Sequence, residues 1–435
     1  MSLPIVAVVG RPNVGKSTLV NRLVQGSDAI VHAMRGVTRD RSYHKTDWNG
    51  REFMLVDTGG IELITDDAFG ESIRKQAIMA AEEADAVLFV VDGQSGITAG
   101  DEDVARILQR SDRPVFLLVN KADNPGNSND TFEFWNLGIG EPWAISALHG
   151  HGTGDLLDEL VKVLPMTETE TVEGEISVAI IGRPNAGKSS IYNKLVGVER
   201  AIVSGVAGTT RDSIDTVIDR DDKRYRLVDT AGLRRQSKID GSVEYYSFVR
   251  AMRAIDRAQV ALLVVDASIG ITDGDQRVAR FAEERGCAIV VLLNKWDLLE
   301  DDDAREAVED DIPRKLGFID YAPVLRTSAL TGRGIAKLFA QIDLVYGNYM
   351  QSVSTSKLNR FLADLRETGH TISRSGAQLR VKYGTQTRQG PPGFTFFANH
   401  PKLVDENFRR YMENRMREAF DFTGTPVTLK FRQKD

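Results

Sequence analysis

Disulfide staples are excluded at once, because the chain holds a single cysteine, Cys287. It heads the apolar run CAIVVLLN, Cys287 to Asn294, where a small buried core residue is expected and a nucleophile is not. A reducing compartment suits such a chain. Surplus positive charge is lacking as well: 55 lysines and arginines face 62 aspartates and glutamates, a formal net charge of -7, which excludes a whole-protein polycation built for nucleic acid. Any such contact has to come from a local patch. No uninterrupted apolar stretch nears the roughly 18 residues that span a bilayer. The first residues enter the apolar segment Ile5 to Val9 with no basic lead-in and no cleavage-like site, so a first strand is expected there and not a signal peptide. The expectation is a soluble, cytoplasmic, monomeric chain with no membrane partner.

What is present is an ordinary globular composition, 42% hydrophobic and 27% charged, over 435 residues. That length is too great for one core and predicts about three domains. An internal duplication organises them: IVAVVGRPNVGKSTLVNRLV, from Ile5, returns as SVAIIGRPNAGKSSIYNKLV, from Ser177. Gly10 and Gly182 are 172 residues apart, and the offset holds at Thr38/Thr210 and Asp57/Asp229 before growing to 174 at Asn120/Asn294. A small insertion therefore follows Asp229 in the second copy. So long a period means duplicated domains and not a solenoid. The acidic stretch PMTETETVEGE, Pro165 to Glu175, reads as an exposed linker. The expected division is a first domain over 1–165, a linker over 166–175, a second domain over 176–350 and a C-terminal module over 351–435.

Within each copy, apolar runs such as FMLVD, AVLFVVDG and PVFLLVNKAD alternate with amphipathic stretches, one of them a helical segment through Ala80. That alternation predicts an α/β fold in which a mostly parallel sheet is covered by helices on both faces. Both copies place a phosphate-loop pattern directly after the first apolar run: Gly10-Arg11-Pro12-Asn13-Val14-Gly15-Lys16-Ser17 and Gly182-Arg183-Pro184-Asn185-Ala186-Gly187-Lys188-Ser189. Glycines let backbone N–H groups wrap around phosphates at the start of a helix, whose N-terminus favours negative charge. Lys16 and Lys188 are expected to reach the β and γ phosphates, and Ser17 and Ser189 to offer a hydroxyl to Mg²⁺.

Downstream, Asp57-Thr58-Gly59-Gly60 and Asp229-Thr230-Ala231-Gly232 fit D-x-x-G, with the aspartate placed to hold a water on Mg²⁺ and the glycine N–H to sense a γ-phosphate. Between the two patterns, Thr38 and Thr210 stand in glycine-bearing loops and are expected to complete the Mg²⁺ shell when the γ-phosphate is bound. Asn120-Lys121-Ala122-Asp123 and Asn294-Lys295-Trp296-Asp297 choose the base: a carboxylate can accept from guanine N1–H and N2–H₂ together, and adenine offers no such pair. GTP and GDP are the expected ligands. Ser146-Ala147 and Ser328-Ala329 follow the fifth apolar run, where a small residue lets a backbone N–H approach guanine O6.

This ordered set, in duplicate and followed by a short C-terminal module, resembles the Der (EngA) family of tandem GTPases over essentially the whole chain. The resemblance implies GTP hydrolysis, a role in maturation of the large ribosomal subunit, and that subunit's rRNA and proteins as partners. It also implies kinship with the wider TrmE-like group, in which the phosphate-loop asparagine binds a potassium ion that supplies positive charge to the transition state. Asn13 and Asn185 hold that place here, and shaping the loop is the other role open to them. Ile61 and Leu233 occupy the position where Ras-like proteins use a glutamine to orient the attacking water. Neither can hydrogen-bond, so slow intrinsic turnover is expected. A switch enzyme is the leading reading; a nucleotide-dependent scaffold in which hydrolysis is incidental is its alternative.

From Gln351 onward, fifteen lysines and arginines face eight aspartates and glutamates, so this segment is near +7 while the rest is near −14. The run SKLNRFLADL sets Leu358, Phe361, Leu362 and Leu365 at helical spacing behind Ser354 or Thr355 as caps. A second helical stretch passes through Phe408, Tyr411 and Met416. In QLRVKY and TPVTLKFRQ the apolar residues alternate with Arg380, Lys382, Lys430 and Arg432, which predicts strands with one basic face. Such a face suits RNA phosphates and equally suits the acidic GTPase domains. Family resemblance makes this small α+β module KH-like, and a G-x-x-G of the kind KH loops use for RNA occurs at Gly390-Pro391-Pro392-Gly393. Prolines lack the N–H groups that loop presents, so a rigid turn before a strand Phe394 to Phe397 is expected instead.

Overall fold

The computed structural model describes residues 3–25, 43–58, 74, 77, 78, 80–82, 84–122, 128–165, 174–197, 202–207, 214–230, 243–367, 373, 374 and 377–433. The expected linker falls largely outside them. By its contacts the chain divides into two compact units, Met1–Thr169 and Glu170–Asp435.

In the first unit, β1 (Ile5–Val9), β2 (Tyr43–Trp48), β3 (Arg51–Asp57), β4 (Ala86–Asp92), β5 (Val115–Asn120) and β6 (Pro142–Ala144) form a six-stranded sheet in the order β2-β3-β1-β4-β5-β6. Only β2 runs antiparallel to its neighbour. β1 and β4 are apolar and buried almost without a break, as strands covered on both faces must be. Their alternate residues sort by face. Val6, Val8, Leu88 and Val90 pack with Leu19 and Leu23 of helix Lys16–Gln25 and with Leu156 and Leu160 of helix Thr153–Val163. Ala7, Val9, Val87, Phe89 and Val91 pack with Val104 and Leu108 of helix Ala99–Leu108. Each such large side chain contributes about 1.5–3 kcal/mol by leaving water. The chain goes from β1 to β3 on one side and then to β4 on the other, so the strand order reverses at β1. A crevice opens at such a point beyond the carboxyl ends of the strands, and Gly10 lies there.

The second unit repeats the plan. β7 (Glu175–Ile181), β8 (Ile202–Ala207), β9 (Ile214–Arg220), β10 (Lys223–Leu227), β11 (Val260–Asp266), β12 (Ala288–Asn294) and β13 (Val324–Arg326) form a seven-stranded sheet in the order β13-β12-β11-β7-β10-β9-β8. Cys287 is buried just before β12, and burial pushes its thiol up to about 12, which suits the inert core role.

The C-terminal segment holds helices Thr355–Glu367 and Glu406–Phe420, a two-residue ladder of β14 (Ser373–Arg374) and β15 (Ala377–Gln378), and a sheet of β16 (Val381–Arg388), β17 (Gly393–Ala398) and β18 (Thr428–Gln433). The run QLRVKY, expected as one strand, is split: Gln378 ends β15, which pairs with β14, and Val381 begins β16, which pairs with β17. Ser354 caps the first helix, its Oγ accepting from Lys357 N at 3.4 Å. The 390–393 segment is the turn into β17, and it is packed away: Gly390 N donates to Tyr349 O at 3.2 Å, and Pro391 lies against Gly286. A second attachment is made by Gly424, whose N–H donates to Tyr321 O and whose carbonyl accepts from Ile289 N, both at 2.7 Å. That amide belongs to β12. Arg380, Lys382, Lys430 and Arg432 are exposed, so these backbone attachments to the second sheet are made away from them.

Candidate functional site

Each phosphate loop joins the central strand of its sheet to a helix through a backbone that few residues tolerate. Asn13 and Asn185 take φ of 66° and 60°, a left-handed conformation that asparagine accepts better than most residues, which gives each a loop-shaping role whatever else it holds. At Gly15 a Cβ would stand 2.3 Å from Asn120 Nδ2, and at Gly187 2.1 Å from Asn294 Nδ2, so no side chain fits. The lysines are buried and folded back over the loop. Lys16 Nζ donates to the carbonyls of Gly10 and Arg11, each at 2.8 Å; Lys188 Nζ does so to Gly182 at 2.8 Å and Arg183 at 2.5 Å. Burial pulls the Lys16 ammonium below its ordinary value against the pull of Asp57, and brings Lys188 down to about 8. A buried ammonium folded back onto loop carbonyls is poised to gain from an arriving anion.

Asp57 ends β3 beside this loop and is 1% exposed. Ser17 Oγ donates to its Oδ2 at 2.6 Å, so two hard oxygens converge where the loop opens its helix. That pair fits Mg²⁺, which is commonly held by one or two protein oxygens together with phosphate oxygens and water. In the second copy Asp229 follows β10 with φ of 53°, and Thr230 Oγ1 is 3.0 Å from Thr216 Oγ1. Thr38, Gly59, Gly60 and Ile61, with Thr210, Ala231, Gly232 and Leu233, lie outside the described residues.

The N-K-x-D asparagines are staples. Asn120 Nδ2 donates to Val14 O at 2.7 Å and its Oδ1 accepts from Ala147 N at 2.9 Å; Asn294 makes the same pair of bonds to Ala186 O at 2.8 Å and from Ala329 N at 3.0 Å. One buried side chain thus ties the phosphate loop to the Ser-Ala loop. Ser146 and Ser328 are fully buried, and their Oγ atoms accept from His149 N at 3.3 Å and Thr331 N at 3.1 Å. Trp296 is buried with the Arg326 guanidinium over its ring, while Asp297 is exposed. Asp123 lies outside the described residues.

Four aspartates escaped the sequence reading. Arg11 Nε pairs with Asp101 at 2.9 Å and Arg183 Nε with Asp275 at 3.1 Å; both aspartates are fully buried. Each also closes a capping box with Thr98 or Thr272. Each loop arginine is therefore tied by its side chain to the helix that follows β4 in the first copy and β11 in the second. Lys121 and Lys295, both at positive φ, pair with Asp92 at 2.6 Å and Asp266 at 2.5 Å. Burial works against the Asp92 charge, yet the Lys121 ammonium and the Gln94 and Ser95 amides outweigh it and hold the carboxyl below its usual range. The signal was available: T-x-x-D recurs at an offset of 174 and reads as a capping box.

Comparison with known proteins places the chain among GTPases. The family described as "50S ribosome-binding GTPase" matches residues 5–121 and again 177–295, and "KH-domain-like of EngA bacterial GTPase enzymes, C-terminal" matches 352–432. The GTPase Der of Heliobacterium modesticaldum is 49% identical over 438 residues, covering 100% of this chain and 99% of that protein. Those of Synechococcus sp. and Moorella thermoacetica are 48% and 46% identical, again over 100% of this chain and over 97% and 99% of theirs. Among the described residues no helix is long and apolar enough to cross a membrane.

Proposed function

The chain belongs to the GTPase Der family, whose members bind and hydrolyse GTP, and from that premise we propose that it is a cytoplasmic, monomeric switch in maturation of the large ribosomal subunit. Nucleotide state would control how its domains, divided at 165, 176 and 351, are arranged, and through that their docking on rRNA and ribosomal proteins. The observation that carries this reading is the duplicated staple: Asn120 and Asn294 each join the phosphate-loop motif to the Ser-Ala loop with the same two hydrogen bonds. The description of the matched family as ribosome-binding, and the KH-like C-terminal match, support the ribosomal partner.

In each site the loop N–H groups would cradle the α and β phosphates. Lys16 and Lys188 would exchange their carbonyl partners for the β and γ oxygens. Ser17, Thr38 and Asp57, and Ser189, Thr210 and Asp229, would hold Mg²⁺, which neutralises charge on the transferring phosphoryl group. Asp123 and Asp297 would read the guanine edge, with Ala147 and Ala329 beside O6. Asn13 and Asn185 would hold K⁺, adding positive charge where it is needed. Ile61 and Leu233 have no hydrogen-bonding group with which to orient water, so intrinsic turnover is slow.

Cosedimentation with ribosomal subunits under GTP, GDP and a non-hydrolysable GTP analogue tests the switch. Association should follow the GTP-like state. Equal association under all three would refute it and favour the scaffold.

A further inference from the structure

Asp215, on β9, is fully buried, yet no sequence motif accounts for it. Its Oδ1 accepts from Asp229 N at 3.1 Å and from Arg257 Nη1 at 3.1 Å, and its Oδ2 accepts from Arg257 Nη2 at 2.5 Å. A forked guanidinium on both oxygens fixes the carboxylate in orientation as well as position. Arg226 Nη1 lies 3.6 Å from the same Oδ2 and is itself bound to Glu175, the first residue of β7, at 2.6 Å. The network thus begins at the strand that leads into the phosphate loop and ends on the amide of the D-x-x-G aspartate.

That amide needs holding. Asp229 has φ of 53°, so its N–H has turned out of the line of β10 and takes a side-chain carboxylate as acceptor. Arg257 is the last residue of helix Val243–Arg257, which among the described residues is the first helix after the D-x-x-G segment. The first copy is built differently: the offset of 172 puts Tyr43 where the second has Asp215, and 174 puts Glu83 where it has Arg257. A tyrosine and a glutamate cannot form this pair.

We propose that the Asp215–Arg257 pair is a positioning device of the second GTPase domain alone, fixing Asp229 for Mg²⁺ and so setting that domain's Mg²⁺ requirement apart from the first domain's. This rests on the reading of Asp229 given above. Loss of a group that orients a metal-binding residue commonly costs 10–100-fold in metal affinity.

The test uses the full chain carrying Lys16→Ala, so that a fluorescent non-hydrolysable GTP analogue reports the second domain, with binding followed as free Mg²⁺ is titrated. Arg257→Gln should raise the half-saturating Mg²⁺ about tenfold, while affinity at saturating Mg²⁺ stays within about threefold. Arg257→Lys, which keeps the charge but loses the fork, should shift it about threefold. A uniform loss at every Mg²⁺ concentration, or no shift, would overturn the proposal. If Arg257→Gln fails to fold, the lysine variant decides by the same criterion. Asp229→Asn is run in parallel: a shift there without one at Arg257 sinks only this inference, whereas no shift at Asp229 sinks the underlying reading too.

Discussion

Replacing Asn294 by alanine puts the staple to a quantitative test. Asn294 is 1% exposed and makes two hydrogen bonds, at 2.8 Å to Ala186 O and 3.0 Å from Ala329 N. Alanine removes both and leaves a carbonyl and an amide without those partners. A buried polar group left unsatisfied costs about 1–3 kcal/mol, and water entering the vacated space recovers part of that, so the pair is worth about 2–4 kcal/mol. Both groups lie on loops that the nucleotide must order, so the loss should fall on binding. At about 1.4 kcal/mol per tenfold, GDP affinity in the second site drops by about 30- to 700-fold. Isothermal titration of the Lys16→Ala chain with and without Asn294→Ala measures it. Asn294→Asp sharpens the argument, because a carboxylate can still accept from Ala329 N but turns an acceptor toward Ala186 O. Its defect should be at least as large near pH 8 and should shrink as pH falls, since a protonated carboxyl can donate to that carbonyl. An alanine variant that binds GDP within threefold of its parent would refute the reasoning.

The remaining expectations concern the lysine, the asparagines and the C-terminal attachment. Burial holds Lys188 at about 8 in the free protein, below its unfolded value of 10.5, so the unfolded chain carries more of this proton between those limits and the lysine's penalty on stability fades as pH rises through that window. A bound phosphate restores the charged form, so GDP binding at pH 8.5 should take up protons, seen as a buffer-dependent titration enthalpy, and Lys188→Met should abolish both binding and uptake at that site. Single-turnover GTP hydrolysis should run at least about tenfold faster in K⁺ than in Na⁺ at equal ionic strength if Asn13 and Asn185 hold the cation; equal rates would leave them only their part in shaping the loops. Gly424→Ala would set a Cβ 2.2 Å from Val345 Cγ1 at a φ of 78°, and urea unfolding should show the second unit weakened by roughly 2 kcal/mol or more.

The sequence alone determined the chemistry, because that chemistry depends on residue types at fixed spacing along one strand-to-helix turn. Glycines at Gly10 and Gly15 and a lysine at Lys16 suit a backbone that must wrap phosphates, and duplication at 172 residues made the pattern legible twice. Burial on both faces likewise writes itself into unbroken apolar runs such as Ala86–Asp92, so the parallel sheets were readable too. What only tertiary structure decided are the partners that meet across long separations. Arg11 finds Asp101 over 90 residues, and Asp215 finds Arg257 over 42. It also decided where the C-terminal segment is fastened. Its 390–393 turn resembles an RNA-binding loop in sequence, but Pro391 packs against Gly286 and Gly424 bonds to the β12 amide of Ile289. Charge and periodicity describe a residue's own strand or helix, and neither encodes which distant element that strand or helix will face.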